Sequence, residues 1–209
     1  MQGMVDEYTR NILSMRICGG LARGITLRVS KSGGVRPAME PARERLFSSI
    51  GSRLHGSKIL DLFAGSGSYG LEALSRGAEA VTFVEKSRKV FYDLQKNFAA
   101  VTKSARLDDS SGKLINRDVI DFLGSPSGHS YDLIFLDPPY REIERIYQKV
   151  FSLLAEGKWI NREGVVILEC PGEMEVESPG WQMQRVLGKE KRGSPVHRIY
   201  SVRSFPPDQ

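Results

Sequence analysis

The pattern around which this chain is organised is KILDLFAGSGSYG, at residues 58–70. It starts as a short apolar run, passes through a loop that contains Gly65 and Gly67, and reaches Gly70 where a helical pattern begins. Glycines permit a tight turn and let backbone amides approach a ligand closely. Their spacing, G-x-G-x-x-G, therefore predicts a strand, a ligand-binding turn and a helix.

Downstream of this stretch, short apolar runs alternate with amphipathic helical patterns. Strands that alternate with helices form right-handed crossover units in a parallel sheet. The predicted strands are 58–62, 80–84, 113–116, 131–136 and 164–168, and the predicted helices are about 69–76, 87–101, 118–123 and 142–155. Strand patterns near 181–187 and 197–203 have no helix between them, which favours an antiparallel edge hairpin. The expected fold is α/β and Rossmann-like, with a mostly parallel sheet of seven strands.

Upstream of the same stretch, the patterns are shorter. Residues 1–14 are expected to be a flexible segment, and residues 15–29 predict a small β-hairpin. A Gly-rich loop at 31–36 follows, and Pro41 then suits the first turn of a helix that runs to Ile50. We therefore expect three parts: the flexible segment 1–14, a hairpin-and-helix extension at 15–57, and the Rossmann-like domain at 58–209.

The positive charge of the chain is concentrated at its front. The formal net charge is +5; residues 1–57 hold nine Lys/Arg and four Asp/Glu, and residues 58–209 hold twenty-one of each. The stretch 181–209 is basic as well. A neutral body with basic ends favours a polyanionic partner such as a nucleic acid.

The composition narrows the class of protein. Apolar residues make up 40% and charged residues 26%, which disfavours a disordered or fibrous chain. No apolar run approaches the roughly 20 residues of a membrane helix, and the first residues do not resemble a secretory signal. Two cysteines are too few for a disulfide framework, and the three histidines lack metal-ligand spacing. We expect a cytoplasmic monomer with neither a membrane nor a metal partner.

The glycine loop by itself is compatible with NAD, FAD or S-adenosylmethionine. Glu85 lies 20 residues after Gly65, at the end of the second predicted strand, where a carboxylate can accept both hydroxyls of a ribose. Asp61 favours S-adenosylmethionine, because a carboxylate would repel a pyrophosphate but suits a cationic amino group. The cofactor contacts expected here are Asp61, Ala64, Gly65, Ser66, Gly67 and Glu85.

A second motif, Asp137-Pro138-Pro139-Tyr140, directly follows the fourth predicted strand. Two successive prolines make the loop rigid and remove amide donors, which leaves its carbonyls free to accept. Asp137 and the Pro138 carbonyl could accept the two hydrogens of an exocyclic amine, while Tyr140 stacks on the base. This would aim the amine lone pair at a methyl group, so that orientation supplies most of the catalysis. Asp137, Pro138 and Tyr140 are the expected catalytic residues, and Asp137 also borders the cofactor.

A third candidate site follows the third predicted strand. Asp118 could accept a hydrogen bond from the adenine amine of the cofactor, with Val119 and Phe122 packed against the ring. Asp is also favoured as a helix N-cap, and one residue can serve both purposes.

These motifs resemble the class I S-adenosylmethionine-dependent amino-methyltransferases. The front of the chain is similar to the RsmD family in Arg16–Gly20, Arg23-Gly24, Val35–Pro37 and Arg43–Phe47. The resemblance extends over about residues 15–203, including Gly70–Ala78 and Lys191–Gly193 before Ile199. The chain departs from the family at Ala38, where a Thr is frequent, and at Ser87, where an acid is usual.

The resemblance implies an enzyme that methylates N2 of one guanine in small-subunit (16S) ribosomal RNA, free or in a ribosomal particle. It also implies that Arg36 and Pro37 lie over the cofactor cleft and that the extension helps to hold RNA. A plausible phosphate-binding set is Arg23, Arg28, Lys31, Arg36, Arg43 and Arg45.

Three other functions remain as alternatives. An adenine-N6 methyltransferase would use the same chemistry, although DNA enzymes of that kind usually carry a further target-recognition domain, for which we expect no room here. An NAD-linked oxidoreductase would have no use for residues 137–140. A catalytically silent RNA-binding module would not need them either.

Overall fold

The computed structural model describes residues 15–29 and 39–203. Its helices are α1 (Met39–Ile50), α2 (Ser68–Ser75), α3 (Arg88–Ala105), α4 (Val119–Leu123) and α5 (Tyr140–Glu156), with short 3-10 turns at Gly51–Arg53 and Asp109–Ser111. Its strands are β1 (Met15–Arg16), β2 (Thr26–Leu27), β3 (Lys58–Leu62), β4 (Ala80–Val84), β5 (Gly112–Ile115), β6 (Tyr131–Leu136), β7 (Ile160–Pro171), β8 (Trp181–Leu187) and β9 (Pro195–Val202).

Seven of the described strands form one sheet in the order β5-β4-β3-β6-β7-β9-β8. The first five of these are parallel, and β9 pairs antiparallel with both β7 and β8. The α/β prediction, with its mostly parallel sheet and antiparallel edge, is confirmed. β4 and β5 lie on one side of β3 in the sheet, and the next strand along the chain, β6, lies on the opposite side of β3. Such a reversal leaves a crevice at the carboxyl ends of β3 and β6.

Alternating side chains of the strands fill two cores, one on each face of the sheet. Ile59 of β3 and Phe135 of β6 face one core, while Leu60 and Leu136 face the other. This distribution follows from the period of two along a strand. Both faces are buried because helices cover both, which explains why the strands read as continuous apolar runs in the sequence.

The N-terminal extension belongs to the first of these cores. The pair β1–β2 is antiparallel, as predicted, and Met15 and Leu27 are buried together with Leu46 and Phe47 of α1. The extension therefore covers the α2–α3 face of the sheet. The assignment of residues 15–57 as an RNA-binding unit stays a prediction.

A fully buried carboxylate, Glu72 of α2, connects the extension to the domain. It accepts hydrogen bonds from the backbone amide of Cys18 at 2.7 Å and from Nε of Arg76 at 2.7 Å. Nε of Arg43, on α1, lies 3.8 Å from the same carboxylate. We call Glu72, Arg43, Arg76 and Cys18 the Glu72 junction.

The longest strand differs most from its predicted bounds. The sequence predicted 164–168, whereas β7 runs over Ile160–Pro171. It is extended at both ends because Ile160 pairs with Tyr131 of β6, and Pro171 pairs with Pro195 of β9. Within residues 15–29 and 39–203, none of the helices combines the length and the apolar character needed to cross a bilayer.

Candidate active site

A cavity of about 100 Å³ opens at the carboxyl ends of β3 and β6, and we call it the site cavity. Its walls come from four regions of the chain, which are the glycine loop, the loop after β6, the hairpin and α3. The glycine loop contributes Ala64 to Ser66, the loop after β6 contributes Asp137, and the hairpin contributes Arg28. Two of the predicted motifs therefore meet at one place.

The glycine loop owes its shape to two close approaches. Gly67 has φ 82° and is the N-cap of α2; a Cβ there would lie 2.5 Å from Leu94 Cδ1. A Cβ on Gly70 would lie 2.3 Å from Phe83 Cε1. Any larger residue would push α2 away from β4 or α3, so both glycines are needed for packing and Gly67 also for its backbone conformation.

Glu85 holds the glycine loop against the end of β4. Its carboxylate accepts hydrogen bonds from the amides of Gly65 at 3.0 Å and Ser87 at 2.7 Å. The side chain is largely buried, at 9% exposure. The contact with a ribose stays a prediction; the carboxylate lies directly behind the predicted cofactor loop.

Asp61 lies beneath the glycine loop. Its Oδ2 accepts from the amide of Gly70 at 2.9 Å, and the residue is 1% exposed. Burial raises the pKa of Asp61 to about 8; the Gly70 amide lowers it, and the charge of Glu85 raises it further. Asp61 does not line the site cavity. The side chain is turned toward the start of α2, and a contact between Asp61 and a cationic amino group stays a prediction.

The loop after β6 places Asp137 on the cavity wall. Asp137 is half-buried, Pro138 is buried, and Pro139 is the N-cap of α5 with φ −54°. Tyr140 is the first residue of α5, so its position is set by a helix and not by a free loop. Proline at an N-terminal position is compatible with this helix start, since it lacks only a donor that the helix would not use.

Behind Tyr140 lies a buried polar cluster that the sequence analysis missed. Glu169 of β7 accepts hydrogen bonds from the hydroxyls of Tyr69 and Tyr140, the latter at 3.2 Å. Nε2 of His197 lies 2.7 Å from the Tyr69 hydroxyl and 3.5 Å from Glu169 Oε2. We call Glu169, Tyr69, Tyr140 and His197 the Glu169 cluster.

The electrostatics of the Glu169 cluster favour a carboxylate. Burial by itself would raise the pKa of Glu169, but hydrogen bonding and charge from His197, together with the Tyr69 and Tyr140 hydroxyls, lower it below the usual value. Burial raises the pKa of Tyr69, and the charges of Glu169 and Asp137 raise it further. The cluster is therefore a carboxylate surrounded by donors, next to the carboxylate of Asp137.

Asp118 occupies the N-cap of α4. Its carboxylate accepts from the amide of Ile120 at 2.8 Å, and Val119 is 2% exposed. Neither lines the site cavity. The capping interpretation is confirmed, and a contact between Asp118 and an adenine stays a prediction.

The prediction of phosphate binding is wrong for one residue of the set, Arg43. Arg43 is 1% exposed, and its Nη2 donates to the carbonyl of Arg16 at 2.6 Å within the Glu72 junction. It cannot reach a phosphate from there. Arg23, Arg28 and Arg45 are exposed, and Lys31, Arg36 and Pro37 lie outside the described residues.

Several residues of the cavity wall were absent from the sequence predictions. Met15 and Val29 of the hairpin and Val90 and Asp93 of α3 line it. Their sequence context is that of an ordinary hairpin and an amphipathic helix, so nothing in it signalled a site. No group of three or more His, Cys, Asp or Glu side chains in the described part of the chain could hold a metal ion.

A family model described as conserved hypothetical protein 95 matches residues 15–201. The chain belongs to this family. It is the RsmD family to which the sequence motifs pointed, and the match covers both the extension and the sheet.

Relatives of known name share most of the chain. A Haemophilus influenzae protein named ribosomal RNA small subunit methyltransferase D is 34% identical over 188 residues, which is 89% of this chain and 93% of that protein. The Escherichia coli protein of the same name is also 34% identical, over 187 residues and 89% of each chain. The solved structure of Escherichia coli yhhF superposes with a TM-score of 0.76 at 30% identity, covering 90% of this chain and 98% of that one.

Proposed function

We propose that this RsmD-family protein transfers a methyl group from S-adenosylmethionine to the exocyclic N2 amine of a guanine in small-subunit (16S) ribosomal RNA. The observation that carries the proposal is the meeting of the glycine loop and Asp137 in one cavity. The relatives named small-subunit rRNA methyltransferase D support the RNA substrate. The motif residues 137–140 support an amine on a planar base as the acceptor.

The residues around the site cavity fit the cofactor of this methyltransferase family. Backbone groups of Ala64 to Gly67 would contact it, and Glu85 would accept from its ribose hydroxyls. Asp118 and Val119 would border its adenine. The cofactor supplies an electrophilic methyl group on a sulfonium, so the protein needs to supply no further activation of the donor.

The acceptor side would use the loop after β6. Asp137 and the Pro138 carbonyl would accept the two hydrogens of the amine, which directs its lone pair at the donor. Asp137 would then take the proton that nitrogen loses when the N–C bond forms. Tyr140 would stack on the base, which must be presented unstacked from the RNA.

The exposed basic residues would hold the RNA. Arg28 borders the site cavity and belongs to the hairpin, and its backbone exchanges two hydrogen bonds with Asn97 of α3. Arg23 and Arg45 are exposed on the same extension. Lys31 and Arg36 complete the proposed phosphate-binding set, which no longer includes Arg43.

The test is methylation of under-modified small ribosomal subunits, and of free 16S RNA, with a labelled methyl donor, followed by mass spectrometry of the nucleosides. N2-methylguanosine is expected. N6-methyladenosine would instead favour the adenine alternative, since the same loop can hold either amine. Absence of any labelled nucleoside on both substrates would reject the proposal.

A further inference from the structure

The chemistry proposed above leaves one buried carboxylate of the acceptor region unexplained. Glu169 is 4% exposed, and it stands opposite His197 in the β7–β9 pairing. A carboxylate withdrawn from water is unfavourable unless charge or hydrogen bonds compensate it. Its partners therefore indicate why the protein keeps it there.

The donors of the Glu169 cluster form an ordered chain. The one proton of the Tyr69 hydroxyl is donated to Glu169, so the Tyr69 oxygen accepts from Nε2 of His197 at 2.7 Å. Tyr140 donates to the other carboxylate oxygen at 3.2 Å. Tyr69 and His197, 5% and 1% exposed, are fixed by the core, whereas Tyr140 is half-buried at the start of α5, three residues after Asp137.

We propose that Glu169 is a positioning residue: it holds the Tyr140 ring in the orientation that stacks on the acceptor base, and Tyr69 and His197 hold Glu169. This inference rests on the proposed function, because it gives an orientation to the ring that the proposal places against the base. The reacting atoms need no direct contact with Glu169.

The structural reason lies in the difference between the two tyrosines. Tyr69 is packed on all sides, with its ring 5.2 Å from that of Phe135 at 28° and 6.4 Å from that of Phe47. Tyr140 has no comparable burial, and its hydroxyl bond to a carboxylate on a central strand restrains the far end of its ring. A ring that is already restrained does not have to be ordered when the base binds.

The cluster also connects the two loops that must bring the reactants together. Tyr69 directly follows Ser68, which lines the site cavity, and its ring packs on that of Phe135 of β6, which lies two residues before Asp137. Glu169 thus bridges α2, which begins at the cofactor loop, and α5, which begins at the acceptor loop. Misplacement of a reacting group by about 1 Å can cost about 100-fold in rate.

The experiment is a double-mutant cycle of Glu169→Gln and Tyr140→Phe in the full chain, read as kcat and KM for RNA and as cofactor affinity. Glu169→Gln is expected to lower kcat/KM for RNA about 10- to 100-fold. In the Tyr140→Phe background the same change should cost about threefold or less, because the hydroxyl that Glu169 holds is gone. Cofactor affinity should be unchanged throughout.

The control is Tyr131→Phe, which removes another buried tyrosine hydroxyl bond, 3.1 Å from Thr82 and distant from the site. It should leave kcat and KM unchanged. If Glu169→Gln does not fold, a second double-mutant cycle with Tyr69→Phe and Tyr140→Phe replaces it. This cycle measures the coupling between Tyr140 and the rest of the Glu169 cluster and leaves the buried carboxylate in place. An equal loss in both Tyr140 backgrounds would overturn the positioning role.

A second readout is independent of turnover. In ring-proton NMR spectra, the Tyr140 signals, identified by their loss in Tyr140→Phe, should shift and show faster ring rotation in Glu169→Gln, while those of exposed Tyr92 stay. Unchanged Tyr140 signals would reject the inference even if the wild-type protein methylates RNA. Conversely, if the wild-type protein has no activity but Glu169→Gln still shifts the Tyr140 signals, the proposed function is rejected while the restraint of Tyr140 by Glu169 is supported.

Discussion

Two carboxylates that are buried to almost the same degree, Glu72 and Glu169, have opposite surroundings. Glu72 is paired with Arg76 and Arg43 and caps a backbone amide of the extension. Glu169 is surrounded by two hydroxyls and an imidazole, and one of those hydroxyls belongs to the acceptor motif. The first joins the extension to the domain, and the second accepts a hydrogen bond from a side chain three residues after Asp137, which lines the site cavity. Burial of a charge is therefore not itself a sign of function. The position of its hydrogen-bond partners relative to the site is the better indication.

The Glu72 junction should show the larger effect on stability. Glu72→Ala removes the counter-charge of the buried Arg43 guanidinium, whose Nε has no hydrogen-bond partner even with Glu72 in place, so it should cost about 3 to 5 kcal/mol of unfolding free energy. Urea denaturation measures this. Adding Arg43→Met should recover part of the loss, because an apolar side chain needs no counter-charge.

The exposed Glu79, in the turn after α2, provides the matched control for this change. Glu79→Ala should alter the denaturation midpoint little, as is usual for surface substitutions. Equal losses for the two variants would mean that the junction contributes nothing specific, and the contrast between Glu72 and Glu169 would disappear.

On the acceptor side, Asp137→Ala should have the largest effect on activity. It removes the proposed acceptor of the amine hydrogens and of the released proton, so methyl transfer should fall by about 10²- to 10⁴-fold. Affinity for S-adenosylmethionine, measured by calorimetry, should change little. Turnover near the wild-type level would show that another group holds the amine.

A third buried carboxylate, Asp61, differs from Glu72 and Glu169 in the pH dependence that it gives to the unfolding free energy. Burial raises the pKa of Asp61 in the folded protein from its ordinary value of 3.8 to about 8, because a single amide partner does not compensate the lost hydration. Between these pH values the unfolded chain ionises while the folded protein keeps its proton. The contribution of Asp61 to stability is thus fully present below pH 3.8 and is lost as pH rises through about 8.

Asp61→Asn should therefore gain stability relative to the wild type as pH rises, by at most about 1.4 kcal/mol per pH unit. Unfolding free energies at pH 5 and pH 8 test this. A difference between the two proteins that is the same at both pH values would show that Asp61 is ionised in the folded state. It would then resemble Glu169, whose partners lower its pKa.

The parts that could be predicted from the sequence depend on local pattern. Runs of four to six mostly apolar residues separated by amphipathic stretches were enough for the sheet, and the glycine spacing at Gly65 to Gly70 was enough for the turn between β3 and α2. The family is confirmed as well. The roles of the individual site residues stay predictions, although Asp137 and the loop do border one cavity.

What could not be predicted depends on pairing over long distances. Arg43 looks like any exposed helix arginine until Glu72, on another helix, is placed beneath it. Glu169 reads as one polar residue in the run VVILEC, and its three partners, Tyr69, Tyr140 and His197, lie 100, 29 and 28 residues away along the chain. Sequence spacing does not show which strand face a side chain takes or which distant hydroxyl meets it.

The smallest expected effect separates two arginines of the same helix. Arg45 is exposed on α1 whereas Arg43 is buried in the Glu72 junction. Arg45→Glu should weaken binding to 16S RNA and reduce the slope of log affinity against log salt by about one, because one phosphate contact is lost. Arg43→Met should lower the denaturation midpoint but leave that slope as it is in the folded protein. An unchanged slope for Arg45→Glu would move the RNA surface off α1, and a reduced slope for Arg43→Met would mean that the junction opens to meet the RNA.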